Sequence, residues 1–166
     1  MALPPGVDTH LARGAANGGL TFHDRGGPYG RTMGAKRVIA VDVTGLPVGA
    51  LAVPASTHEN RASELMLEHL TRQGVTDRLE LVLVDRGVTA PAARALGRDH
   101  GLEVRRVGWD DKQPVFRPIQ QAWRVEVAHG RIGRCRRLAK SFENTTTSAT
   151  GWLQLACIAT TLRHLS

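Results

Sequence analysis

Glu126 is the residue whose surroundings first suggest chemistry. At about 100° per residue, Gly130, Gly133, Arg137 and Lys140 all fall within about 40° of it on a helical projection. The stripe carries one carboxylate, two positions without side chains and two cations. Val127, Ala128, Ile132, Cys135, Leu138 and Ala139 project elsewhere. The pattern predicts a helix over 119–140 that buries one face, including Cys135, and presents Glu126 on the other. Two glycines cost a helix interior about 1 kcal/mol each relative to alanine. One reason to keep them is access, letting a phosphate backbone approach the carboxylate. The other is packing: a neighbouring helix comes close, or the helix breaks there.

Asp85 is the second candidate. It ends the apolar run 79–84 and precedes Arg86-Gly87, and open α/β sheets bind ligands at the carboxyl ends of their strands. A turn or cap role for Asp85 stays open on the residues alone. Asp8, between Val7 and a polar stretch, says nothing by itself. Asp42 sits on a strand-like run just before Thr44-Gly45 and is a rival first acid or a turn former. The seven histidines have no metal-ligand spacing, and Cys135 and Cys157 make neither a disulfide framework nor a zinc set.

These residues need a frame. Residues 38–43 and 46–53 read as a hairpin, with Pro47 and Pro54 confining the second strand to an edge. A helix is predicted over 56–73, capped by Ser56 or Thr57 and ended by Gly74. Strand 79–84, helix 91–100 with Pro91 in its first turn, and strand 102–107 form a strand–helix–strand unit, which implies parallel pairing. The helix at 119–140 and a last one at 148–165 follow. Segments 12–35, Gly-rich, and 108–118 read as loops, and Trp123 and Trp152 as core residues. The frame is a single domain over 1–166, an α/β mixed sheet flanked by helices.

These motifs together resemble the catalytic domain of insertion-sequence DDE transposases over about 7–165. Val7-Asp8-Thr9 resembles the segment of the first acid, and the run 36–46 the hairpin after it. Leu83-Val84-Asp85-Arg86-Gly87 resembles the strand end with the second acid. Trp123-Arg124-Val125-Glu126, continuing into 133–140, resembles the helix with the third and is the most specific of the matches. The resemblance implies a ribonuclease H-like fold and DNA transposition. Asp8 and Asp85 would share two Mg²⁺ (or Mn²⁺) ions, and Glu126 would hold one of them. Water would free a 3′-OH at the transposon end, and that 3′-OH would attack target DNA, with no nucleotide cofactor. Mg²⁺ suits carboxylate oxygen, and two ions activate the nucleophile and stabilise the leaving oxygen in such transfers. Double-stranded DNA is the implied partner, a homodimer on DNA the implied assembly, and the bacterial nucleoid in the cytoplasm the implied location. Only seven residues precede Asp8, and Pro4 and Pro5 stand where its strand would run. The expectation is a first strand that is short, altered or supplied by sequence this chain lacks, in a chain truncated ahead of the first acid and without the family's N-terminal DNA-binding region, either an active enzyme or an inactive remnant.

Charge agrees with a nucleic-acid partner. Lys+Arg minus Asp+Glu is 22 − 15 = +7 over 166 residues. Seven of the cations, Arg117, Arg124, Arg131, Arg134, Arg136, Arg137 and Lys140, face the single acid Glu126 within 117–140. Clustered guanidinium groups bind phosphate oxygens two at a time, which makes Arg124, Arg134, Arg136, Arg137 and Lys140 the expected DNA contacts. No apolar run approaches the roughly 18–20 residues of a membrane span. Two other readings use the same residues: a non-enzymatic basic DNA-binding module with structural acids, and a different nuclease of the same fold.

Overall fold

The computed structural model describes residues 6–13, 34–107 and 120–165. The loop expected at 12–35 lies outside the described residues except at its ends, where 12–13 and 34–35 belong to strands, and the loop expected at 108–118 lies outside them entirely. The elements run β1 (Gly6–Arg13), β2 (Gly34–Val41), β3 (Pro47–Pro54), α1 (Glu59–Arg72), β4 (Leu81–Asp85), α2 (Ala90–His100), β5 (Glu103–Val107), α3 (Gln120–Gly133) and α4 (Thr146–Leu165). The five strands form one mixed sheet in the order β3-β2-β1-β4-β5. β1, β2 and β3 pair antiparallel, while β1–β4 and β4–β5 pair parallel.

Alternation along β2 divides the core. Val38 and Ala40 face Met66, Leu67 and Leu70 of α1 and Ala93 and Leu96 of α2. Ile39 and Val41 face Val125, Ala128 and Ile132 of α3 and Leu153 and Ala156 of α4. Two helices therefore cover each face of the sheet. β3, at the edge, has Pro47 and Pro54 at its ends, where a missing ladder donor does least harm. Gly45 takes φ +85 in the β2–β3 turn, a conformation that glycine reaches without strain.

Several expectations need correction. The first strand is neither short nor altered: β1 runs for eight residues, starting just after Pro5 and pairing on both sides. α1 is capped by His58, whose Nδ1 accepts from Asn60 N at 3.1 Å, rather than by Ser56 or Thr57. The helix expected over 119–140 ends at Gly133, and a 3₁₀ turn follows over Arg136–Leu138. Among the described residues, a Cβ at Gly130 or Gly133 would meet nothing within 4 Å, so no described neighbour packs closely on either. Gly133 instead marks the break, consistent with the poor helix propensity of glycine. Cys135 thus lies beyond α3, half-buried against the second core cluster. Trp123 and Trp152 are 59% and 41% exposed rather than buried. No helix among the described residues is long and apolar enough to cross a membrane.

Two glycines should respond oppositely to alanine. A Cβ at Gly97 would sit 2.7 Å from the Leu102 carbonyl oxygen, a backbone atom that cannot swing away. Gly97→Ala should lower unfolding free energy by about 1–3 kcal/mol, as overpacking does. Gly130→Ala, in open space within α3, should raise it by about 0.5–1 kcal/mol. Urea titrations with unchanged slopes check both.

Candidate active site

The central strand carries two neighbours in fixed register. On β1, Gly6 pairs with Leu83 and Val7 with Val84 of parallel β4, which brings position 8 level with Asp85, one residue further along each strand. Adjacent strands are about 4.8 Å apart. Position 8 also pairs with Ile39 of β2, and Ile39 faces α3 and α4. Along β4, Val82 and Val84 face α1 and α2, so strand alternation assigns Asp85 to the α3 side as well. Two aspartate positions therefore share one face, one level and adjacent strands.

The third candidate, Glu126, lies on the helix that covers that face. α3 packs on β1 and β2, and Arg124 Cβ lies 3.5 Å from where a Cβ of Gly45 would be, at the β2–β3 turn. That turn lies at the end of the sheet where Gly6 pairs with Val41. Val125, Ala128 and Ile132 are buried against the sheet, leaving Glu126 exposed two residues after Arg124. The Glu126 stripe survives as far as Gly133. Arg137 and Lys140 are not part of it, because they lie beyond the end of the helix.

Asp42 has a different task. Its Oδ1 accepts from Thr44 N at 2.8 Å, Thr44 Oγ1 at 2.6 Å and Leu46 N at 3.0 Å. Those bonds close the β2–β3 turn. Among the described residues, Asp85 Oδ2 accepts a single long bond, from Gly87 N at 3.4 Å, and neither Asp85 nor Glu126 is in an ion pair. Two exposed carboxylates of this kind are the hard-oxygen donor type that suits Mg²⁺ or Mn²⁺. No group of three His, Cys, Asp or Glu among the described residues is close enough to hold a metal ion, and the side chain of Asp8 is outside that set.

The basic residues divide. Arg134, Arg136 and Lys140 are exposed, and Arg124 is half-buried near the turn. Arg137 Nη2 is bound to Glu143 Oε1 at 2.5 Å, and its guanidinium lies 5.1 Å from the Trp152 ring centre and 5.5 Å from that of Phe142. Ser148 Oγ donates to the other Glu143 oxygen. The Ser148 hydrogen bond and Arg137 hold the Glu143 carboxyl below the ordinary carboxylate range, against the opposing effect of burial. Arg137 thus works as a brace for the segment after α3, and the face of Trp152 is engaged by a cation at the surface. Sequence reasoning missed two further arginines. Arg37 on β2 donates to the Leu138 carbonyl and ties the 3₁₀ turn to the sheet, and burial lowers its pKa. Arg106 Nη2 donates to the Arg86 carbonyl at 3.0 Å, beside Asp85. Only their positive charge in a basic chain pointed to either.

Behind Asp85 lies a polar brace. Lys36 Nζ is 2.8 Å from Glu59 Oε1. Asn60 and Thr89 exchange two bonds, Thr89 N to Oδ1 at 2.8 Å and Nδ2 to Thr89 Oγ1 at 3.2 Å. A Cβ on Gly87 would be 2.9 Å from Glu59 Cγ, so the turn after Asp85 fits closely against the start of α1. Burial alone would raise the Glu59 pKa. The hydrogen bonds from Lys36 and from its own backbone, with the Lys36 and His58 charges, outweigh that and leave it lowered. A carboxyl with a folded pKa below its unfolded one stabilises fully above about pH 4.3 and loses that contribution as pH falls through the folded value. Lys36→Met should flatten this acid-side loss in unfolding titrations between about pH 5 and 3; an unchanged slope would contradict the brace.

Residues 7–162 match the family described as Transposase DDE domain. No curated protein matches the sequence. The match covers nearly all the described elements, β1 with position 8 and α3 with Glu126 included, and the chain belongs to the transposase DDE domain family.

Proposed function

We propose that this chain cleaves and joins DNA phosphodiester bonds at transposon ends, with Asp8, Asp85 and Glu126 as its carboxylate site. The observation that carries this reading is the β1–β4 register, which sets positions 8 and 85 side by side on the face that α3 covers. Family membership supports DNA transposition in general, and the mixed sheet of an antiparallel hairpin plus parallel strands fits a ribonuclease H-like domain.

In this reading the three carboxylates hold two divalent ions, Asp8 and Asp85 sharing them and Glu126 holding one. Such ions supply Lewis-acid stabilisation of charge on the reacting oxygens and lower the pKa of bound water. The chain's own part is to position. Asp85 is fixed by the strand end and by the close-fitting turn at Gly87, and Glu126 by the buried side of α3. Arg124, Arg134, Arg136 and Lys140 bind phosphate along α3 and the segment after it. Arg137, held by Glu143, orients that segment rather than touching DNA directly. Two copies assemble on DNA, in the nucleoid of a bacterial cytoplasm.

Cleavage of a double-stranded substrate carrying the element's ends, with Mn²⁺ or Mg²⁺, tests the site. Asp85→Asn and Glu126→Gln should each lower the rate at least about 100-fold, close to 3 kcal/mol of barrier. Cleavage equal to wild type in both would overturn the assignment. In salt titrations of DNA binding, Arg134→Ala combined with Arg136→Ala should reduce the slope of log K against log salt by about 0.9 for each phosphate that is no longer neutralised. Arg137→Ala should mainly lower stability. A non-enzymatic DNA-binding module predicts the slope change without any metal-dependent cleavage.

A further inference from the structure

We propose that the end of β5 forms a second DNA-binding surface, which holds the duplex that receives the transposon strand. This role rests on the strand-transfer reading of the carboxylate site. Joining one DNA to another brings two phosphate backbones to the same acids, and each backbone needs its own cations. The cations assigned so far lie on one flank only. Arg134, Arg136 and Lys140 follow α3, and the bond from Arg37 to the Leu138 carbonyl ties that segment to β2. In the sheet order β3-β2-β1-β4-β5, β2 and β5 lie on opposite sides of the strand pair that carries positions 8 and 85.

β5 runs parallel to β4, so its last residues emerge at the same end as Asp85. Arg105 pairs with Leu83 and Val107 with Asp85. Paired residues on adjacent strands point to the same side, so Arg105 shares the face of Asp85, two residues back and one strand, about 4.8 Å, across. Arg106 alternates to the other face, and its Nη2 donates to the Arg86 carbonyl at 3.0 Å. That bond fixes a guanidinium at the residue that follows Asp85. Arg86, Arg105 and Arg106 are all exposed. Among the described residues, neither Arg86 nor Arg106 is in an ion pair. Glu103 holds Arg105 at 2.6 Å, but both side chains are 59% exposed, and such a pair is weak enough for a phosphate to displace it. Edge strands carry charge to avoid pairing with another chain. Any charge along β5 meets that need, and it does not call for a guanidinium pinned to the turn after Asp85. Once fixed, the planar fork of an arginine offers its remaining N–H groups to phosphate oxygens two at a time.

Salt titrations of the intact chain on a duplex of unrelated sequence, in a metal chelator, test the surface without catalysis. Arg105→Ala with Arg106→Ala should lower the slope of log K against log salt by about 0.9 for each phosphate no longer neutralised. The loss should add to that of Arg134→Ala with Arg136→Ala, because separated sites act independently. Far-UV circular dichroism checks the fold, and Arg105→Gln alone makes the comparison if the pair unfolds. An unchanged slope in folded variants, or no further loss when all four changes are combined, would overturn the surface. Its receiving role is tested by joining pre-cut transposon ends to a separate duplex with Mn²⁺. The Arg105 and Arg106 changes should lower joining at least about tenfold more than they lower end cleavage. An equal loss in both would assign the surface to the transposon end and overturn that role. Wild type that neither cleaves nor joins DNA would refute the carboxylate reading, and the slopes would still decide the β5 surface.

Discussion

The structure depends on one constraint: β1 is paired on both sides at once, antiparallel to β2 and parallel to β4. Either pairing alone would leave a free edge. Together they fix its position along the sheet to the residue, because a slip by one would turn every β1 position to the other face. That double register brings position 8 level with Asp85 and assigns both to the α3 side. The rest of the frame preserves this placement. The Asp42 turn sets how β2 returns into β3, and Lys36, Glu59, Asn60 and Thr89 hold the starts of α1 and α2 beside the Asp85 turn. Val125, Ala128 and Ile132 bury one side of α3 against that same face of the sheet, and Glu126 lies on the exposed side of the helix.

Much of this is legible in the sequence, for local reasons. The hairpin strands, the strand–helix–strand unit and the last helix follow from apolar runs punctuated by Gly and Pro, and each lies within a few residues of the expectation. Glu126 on an exposed stripe follows from helical periodicity. Inferences that need tertiary knowledge fail. Periodicity carries α3 past Gly133 to residue 140, because Cys135, Leu138 and Ala139 keep the apolar phase even though a 3₁₀ turn replaces the helix. Size alone points Trp123 and Trp152 to the core. The structure instead engages Trp152 with Arg137 at the surface, an arrangement set by residues 15 positions apart.

The positive charge has a correspondingly divided role. Arg37 and Arg137 are structural ties, one to the Leu138 carbonyl and one to Glu143. Arg134, Arg136 and Lys140 stay exposed on the segment after α3. The packing of α4 is hidden for a different reason. The helix is apolar on much of its circumference, so periodicity does not say which side is buried. The sheet takes Ala149, Leu153, Ala156 and Cys157, with Thr150 and Gln154 bonded to the β3 backbone alongside.

The central claim is that position 8, and not Asp42, completes the site with Asp85 and Glu126. Mn²⁺ binding followed by electron paramagnetic resonance on the intact chain tests it most directly. The account predicts that Asp8→Asn weakens Mn²⁺ binding at least about tenfold, roughly 1.4 kcal/mol, while Asp42→Asn leaves it unchanged and lowers only the stability of the β2–β3 turn. Loss of binding in Asp42→Asn with full binding in Asp8→Asn would contradict it.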